Sequence, residues 1–103
     1  MLLGGVKIKC DHHLIGHSDA DVLLHAITDA ILGASALGDI GQLFPDTDSE
    51  NKDRCSQEML RIAYKQIQAA GWKINNLDCV ILATIPKISP HREAIINNIA
   101  QLL

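Results

Sequence analysis

"GHSDADVLLHAITDA", residues 16–30, carries two patterns at once. Val22, Leu23, Ala26, Ile27 and Ala30 recur at helical spacing and make a broad apolar face, while Asp21, His25 and Asp29 stand at i, i+4 and i+8 in one column with Thr28 beside it. A helix with that wheel hides most of its circumference and shows a thin polar line. Ser18 is a suitable cap, Asp19 and Asp21 complement the helix dipole from the first turn, and Gly33 is a suitable stop. From the residues alone the column has two readings. It is a solvated edge on which His25 pairs with flanking carboxylates, or a metal-binding edge on which a neutral imidazole is a ligand and a carboxylate fixes its tautomer. One histidine cannot complete a metal site, so further ligands must come from elsewhere.

Outward from this helix the punctuation is clear. Upstream, Val6, Ile8 and Cys10 alternate with Lys7 and Lys9 after a Gly4-Gly5 bend, the period of a strand with one wet face. Downstream, "GDIGQLFPDTDSENKD", residues 38–53, is rich in Gly, Pro and Asp and reads as an exposed loop. A second helix is expected from Ser56 to Ala70, with Met59, Ala63, Ile67 and Ala70 on one face and Gly71 ending it. "LDCVILATI", residues 77–85, is apolar almost throughout and reads as a buried strand ended by Pro86. "SPHREAIINNIAQLL", residues 89–103, restarts as a helix, Ser89 at the cap and Pro90 in the first turn, whose Ile95, Ile96, Ile99 and Leu102 need cover.

The expected fold class is α+β, with a sheet packed against helices on one side. Two strands seldom make a stable sheet alone, so further strands are missing from the chain or are supplied by other subunits. At 103 residues the chain is one domain at most, near the size where a single core is marginal. Twelve acidic against nine basic residues argue against general nucleic-acid binding, and no apolar run approaches membrane-spanning length. Three widely spaced cysteines, Cys10, Cys55 and Cys79, suit a reducing compartment.

Other polar residues offer further chemistry, each with a plain structural alternative. His17-Ser18 sits where loop becomes helix, a place for a phosphate, or Ser18 only caps and His17 only packs. Asp11-His12-His13 looks like a metal triplet but suits a turn better. Asp39, Gly41, Asp46 and Asp48, around Phe44-Pro45, suit ribose or polyol hydroxyls, or are turn-forming residues. Lys87, in "ATIPKISPH" (83–91), is a ligand contact or a solvated cation.

Taken together, "LGGVKI" (3–8), "GHSDADVLLHAITDAILGASALGDIGQLFPDTD" (16–48) and "PKISPH" (86–91) closely resemble the 2-C-methyl-D-erythritol 2,4-cyclodiphosphate synthases of non-mevalonate isoprenoid biosynthesis. The resemblance implies a phosphorus-oxygen lyase, a homotrimer with sites at subunit boundaries, in a bacterial cytoplasm or a plastid-type organelle after processing. It acts on a cytidine diphosphate substrate, with no nucleic acid and no membrane as partner. It implies zinc, bound through His25, and a magnesium or manganese ion. It makes His17 the transition-state stabiliser and His17 and Ser18 substrate contacts. Asp39, Ile40 and Gly41, with Phe44, Pro45, Asp46, Thr47 and Asp48, would hold the methylerythritol and ribose portions; Ala83, Thr84, Ile85, Pro86, Lys87, Ile88 and Ser89 would form the cytosine pocket. The family's opening DxH strand and its later threonine and glutamate segment have no match here, so residues 1–103 are expected to be one incomplete synthase domain. The competing functions are another metal-dependent phosphoryl-transfer enzyme or phosphodiester hydrolase, and an inactive metal- or nucleotide-binding fragment.

Overall fold

Gly4 and Gly5 both take positive φ, +61° and +79°, the demand of the tight two-residue hairpin turn whose twist matches its flanking strands. The turn joins β1 (Leu2–Leu3) to β2 (Val6–Lys7), paired antiparallel with Leu2 opposite Lys7 and Leu3 opposite Val6. The computed structural model describes residues 2–8, 21–45, 55–83 and 87–103. The alternation expected from Val6 holds through Ile8, which is buried while Lys7 is exposed; Lys9 and Cys10 lie outside the described residues.

Among the described residues four α-helices follow: α1 (Val22–Ala34), the one-turn α2 (Ile40–Leu43), α3 (Ser56–Ala69) and α4 (Arg92–Leu102). The architecture is α+β, a small hairpin against helices. Leu23, Leu24, Ile27, Ile31 and Leu32 of α1 pack with Leu60, Ala63 and Ile67 of α3, and Leu3, Ile8, Ile95 and Leu102 extend the same apolar cluster. Leu23 and Ile27 of α1 and Met59, Ala63 and Ile67 of α3 are buried as the periodicity marks, but Val22, Ala26 and Ala30 of the expected α1 face and Ala70 of the expected α3 face are exposed, and Leu24, Thr28 and Leu32 are buried instead, because α1 packs on α3 along that side. No helix among the described residues is long and apolar enough to cross a membrane.

Three boundaries differ from expectation. The α1 cap is Asp21, not Ser18, which lies outside the described residues; Asp21 therefore precedes the first turn instead of sitting in it. The helix also runs through Gly33 and ends beyond it, where Ala36 takes φ +59° and Leu37 N–H bonds Ile31's neighbour, the Leu32 carbonyl, at 2.9 Å. A glycine in a last turn costs about 1 kcal/mol against alanine, too little to end a helix with a buried face. At the other terminus of the chain Ser89 does not cap α4: Ser89–His91 form a 3-10 turn with Pro90 in its first half, and α4 begins at Arg92.

Residues 77–83, the described part of the buried strand expected over 77–85, form no strand. Residues 77–83 pair with no strand, Val80 is 81% and Leu82 94% exposed, and 84–86 lie outside the described residues. An apolar segment becomes a buried strand only where neighbouring strands satisfy its backbone and cover both faces. Here one side alone is met. Ile81 is half-buried against the core, and Leu77, Cys79 and Ile81 face Ile95 and Ile99 across a groove of about 500 Å³.

Candidate functional site

The polar column of α1 does three separate jobs. Asp21 is fully buried, and its carboxylate accepts N–H bonds from Gly4 (3.0 Å), Gly5 (2.7 Å) and Leu24 (3.0 Å), so it ties the hairpin to the helix start. This corrects its placement on a wet edge: a carboxylate is buried where several donors replace its water. One turn on, His25 is half-buried and its Nε2 lies 2.8 Å from Oγ of Ser56, the first residue of α3. A further turn on, exposed Asp29 accepts the Ile40 N–H at 2.8 Å, fixing the start of α2 against α1. Thr28, beside the column, is buried and donates to the Leu24 carbonyl at 2.8 Å, a bond within the helix.

Asp39 caps α2 by accepting the Gln42 N–H at 2.7 Å. The expected loop therefore begins with an ordered turn, held by two carboxylates, whose Ile40 is tied to Asp29, one helical turn from His25. Asp39 and Gly41 are exposed, Ile40 and Pro45 half-buried, and Phe44 buried. His17, Ser18, Asp46, Thr47 and Asp48 lie outside the described residues, as do Asp11, His12 and His13.

Ala83, Lys87 and Ser89 are exposed and Ile88 is half-buried; Thr84, Ile85 and Pro86 lie outside the described residues. Ile88 lines the apolar groove with Leu23 and Arg92, and that groove includes neither His25 nor Asp39. Among the described residues no hydrogen bond joins residues 87–89 to His25, Asp39 or Ile40. Asp29, one helical turn from His25, thus holds the start of the 39–41 turn, while Ile88 lies on the groove.

As a metal position, His25 suits one bond. A neutral imidazole that donates its N–H to a hydroxyl has the lone pair of its other nitrogen for a cation. Among the described residues no three His, Cys, Asp or Glu side chains stand together to hold an ion, so this chain's described part supplies a single ligand. Ser56 is the site residue the sequence hides. Its only local sign is a serine at the start of a helix, and its partner is 31 residues away.

A family model described as the YgbB family matches residues 1–103. The 2-C-methyl-D-erythritol 2,4-cyclodiphosphate synthase of Bordetella avium is 55% identical over 100 residues, covering 97% of this chain and 62% of that protein. The synthase of Gemmatimonas aurantiaca is 50% identical over 103 residues, again covering 62% of its length. Among solved structures, the bifunctional IspDF of Campylobacter jejuni superposes with a TM-score of 0.94 at 46% identity, over 100% of this chain and 28% of that one. IspF of Plasmodium falciparum, a CDP complex, superposes with a TM-score of 0.83 at 41% identity, over 100% of this chain and 60% of that one. The chain spans about 62% of the length of the curated relatives it matches, and it belongs to the YgbB family.

Proposed function

We propose that this member of the YgbB family is the helix-bearing part of a 2-C-methyl-D-erythritol 2,4-cyclodiphosphate synthase, and that residues 1–103 form one incomplete domain of it. The observation that carries the reading is that Asp29, one helical turn from His25, holds the start of the 39–41 turn, in a chain matched by the family over its whole length. No activated nucleophile stands among these groups, and the reaction needs none. An oxygen of the substrate's own 2-phosphate bonds to the β-phosphorus of its cytidine diphosphate arm; the bond from that phosphorus to the bridging oxygen breaks, and CMP leaves with the oxygen and its electron pair. The protein's task is to fold the substrate back and steady the charge that moves.

In this scheme His17 meets the charge developing on the phosphates, and His17 with Ser18 holds them. Asp39 uses one carboxylate oxygen on the Gln42 N–H, and its other can accept a sugar hydroxyl. Asp39 to Gly41 and Phe44 to Asp48 hold the methylerythritol and ribose portions; Ala83 to Ser89 hold the cytosine. When bound, zinc at His25 and a magnesium or manganese ion supply alignment and charge neutralisation of the phosphates. The separation of residues 87–89 from His25, together with the exposed Val80 and Leu82, supports a homotrimer whose sites lie at subunit boundaries. The proposed setting is a bacterial cytoplasm or a plastid-type organelle.

Phosphorus NMR of the full-length protein with substrate and metals tests this. The expected products are CMP and a cyclic diphosphate in equal amounts, with no oxygen taken up from labelled water. An open phosphate carrying solvent oxygen would identify a hydrolase instead. His25→Ala is expected to keep helical circular dichroism and lose bound zinc, because its ring stands off the aliphatic face; stoichiometric zinc in the variant rejects the ligand assignment.

A further inference from the structure

Ser56 combines three features that a helix-start serine does not need. It is fully buried, its Oγ lies 2.8 Å from the Nε2 of a histidine on another helix, and Cys55, not Ser56, holds the cap position of α3. Both partners sit on rigid backbone. The His25 N–H bonds the Asp21 carbonyl at 3.0 Å and the Met59 N–H bonds the Cys55 carbonyl at 3.1 Å, so each lies in a closed first turn. Leu24 and Ile27 on one helix and Leu60 and Ala63 on the other lock the spacing between them.

A neutral imidazole has one N–H and one lone pair, on different nitrogens. If the Ser56 hydroxyl donated to Nε2, the proton would sit on Nδ1 and the ring would present no lone pair to a cation. If Nε2–H donates to Oγ, Nδ1 carries the lone pair. We propose that Ser56 is the positioning residue of His25: its Oγ accepts the Nε2–H, holds the ring in one orientation and one tautomer, and turns the Nδ1 lone pair toward a divalent cation. This rests on reading His25 as a metal ligand. Burial of Ser56 strengthens the hold, because water is kept from the serine side of the bond. A ligand aimed in this way loses less rotational freedom on binding metal than a free surface histidine.

The test separates the tautomer from the metal. Long-range proton–nitrogen correlation spectra of the metal-free full-length protein, under conditions where the ring is neutral, are expected to show His25 protonated on Nε2. Ser56→Ala should give a mixture of tautomers, and Ser56→Thr, which restores the hydroxyl, should return the Nε2–H form. In competition with a chelator, zinc affinity should fall about 10- to 100-fold in Ser56→Ala and recover in Ser56→Thr. A wild-type ring protonated on Nδ1, or a tautomer unchanged by Ser56→Ala, overturns the proposal; the first needs no variant to fold. Zinc undiminished in His25→Ala overturns instead the ligand reading beneath it, and the two failures are distinct because the tautomer is read without metal.

Discussion

Asp21 gathers N–H donors from two elements, the hairpin turn and the first turn of α1. Asp21→Asn keeps the shape and one acceptor oxygen but turns an amide nitrogen toward at least one of those N–H groups. Loss of a buried charge-assisted bond and exposure of an unsatisfied donor together should lower stability by about 2–4 kcal/mol. Urea unfolding of the full chain measures it, and a change under about 0.5 kcal/mol would mean the Gly4 and Gly5 amides find other acceptors. This role was half legible in the sequence. Ser18, Asp19 and Asp21 are all cap-forming types within four positions, and nothing local chooses among them. The choice is made by glycine amides 16 and 17 residues away, which only the folded chain brings near. Ser56 was illegible for the same reason, whereas His25 stood out through its own apolar neighbours.

At the level of elements, the helices were the legible part, since periodicity over 11 to 14 residues averages out single-residue exceptions. Their ends were not, and α1 and α3 show why. α3 stops where Gly71 takes φ +91°, with the Gly71 N–H on the Gln68 carbonyl and the Trp72 N–H on the Ile67 carbonyl. α1 closes by the same pair of bonds, Ala36 N–H to Gly33 and Leu37 N–H to Leu32, but with alanine in the left-handed position. Gly33 reads as the stop because glycine favours such ends; in the fold it is an ordinary helical residue three positions early. Ala36→Gly should therefore stabilise by about 0.5–1 kcal/mol by relieving the left-handed alanine. Gly33→Ala, where an added Cβ meets nothing within 4 Å, should gain about the same. Thermal melts of each variant and of the pair check both. A loss in either would place the helix end elsewhere.

Across the whole molecule the apolar groove between residues 74–81 and α4 is the feature that local patterns could not reveal. The composition of 77–85 argues for burial correctly, yet burial depends on strands that these residues cannot themselves supply. Cys79 records the partial cover. Although the residue is exposed overall, burial of its sulfur beside the groove pushes the thiol above its ordinary value, and the Asp78 carboxylate adds to the rise. A raised value means less thiolate at a given pH, so iodoacetamide should label Cys79 several-fold more slowly than a model thiol peptide near neutral pH, the gap closing as pH rises. Peptide mass mapping reads the rates; equal rates would put the sulfur outside the groove. On α4, the Asn98 side chain donates to the Gly4 carbonyl at 2.8 Å, over 94 residues of sequence. That bond sets an order on biosynthesis. The hairpin can meet Asp21 early, but the Gly4 carbonyl waits for Asn98, which is made roughly 4–15 s later at about 5–20 residues per second. For that interval the nascent chain carries Leu3 and Ile8 while Ile95 and Leu102 of the same apolar cluster are still untranslated.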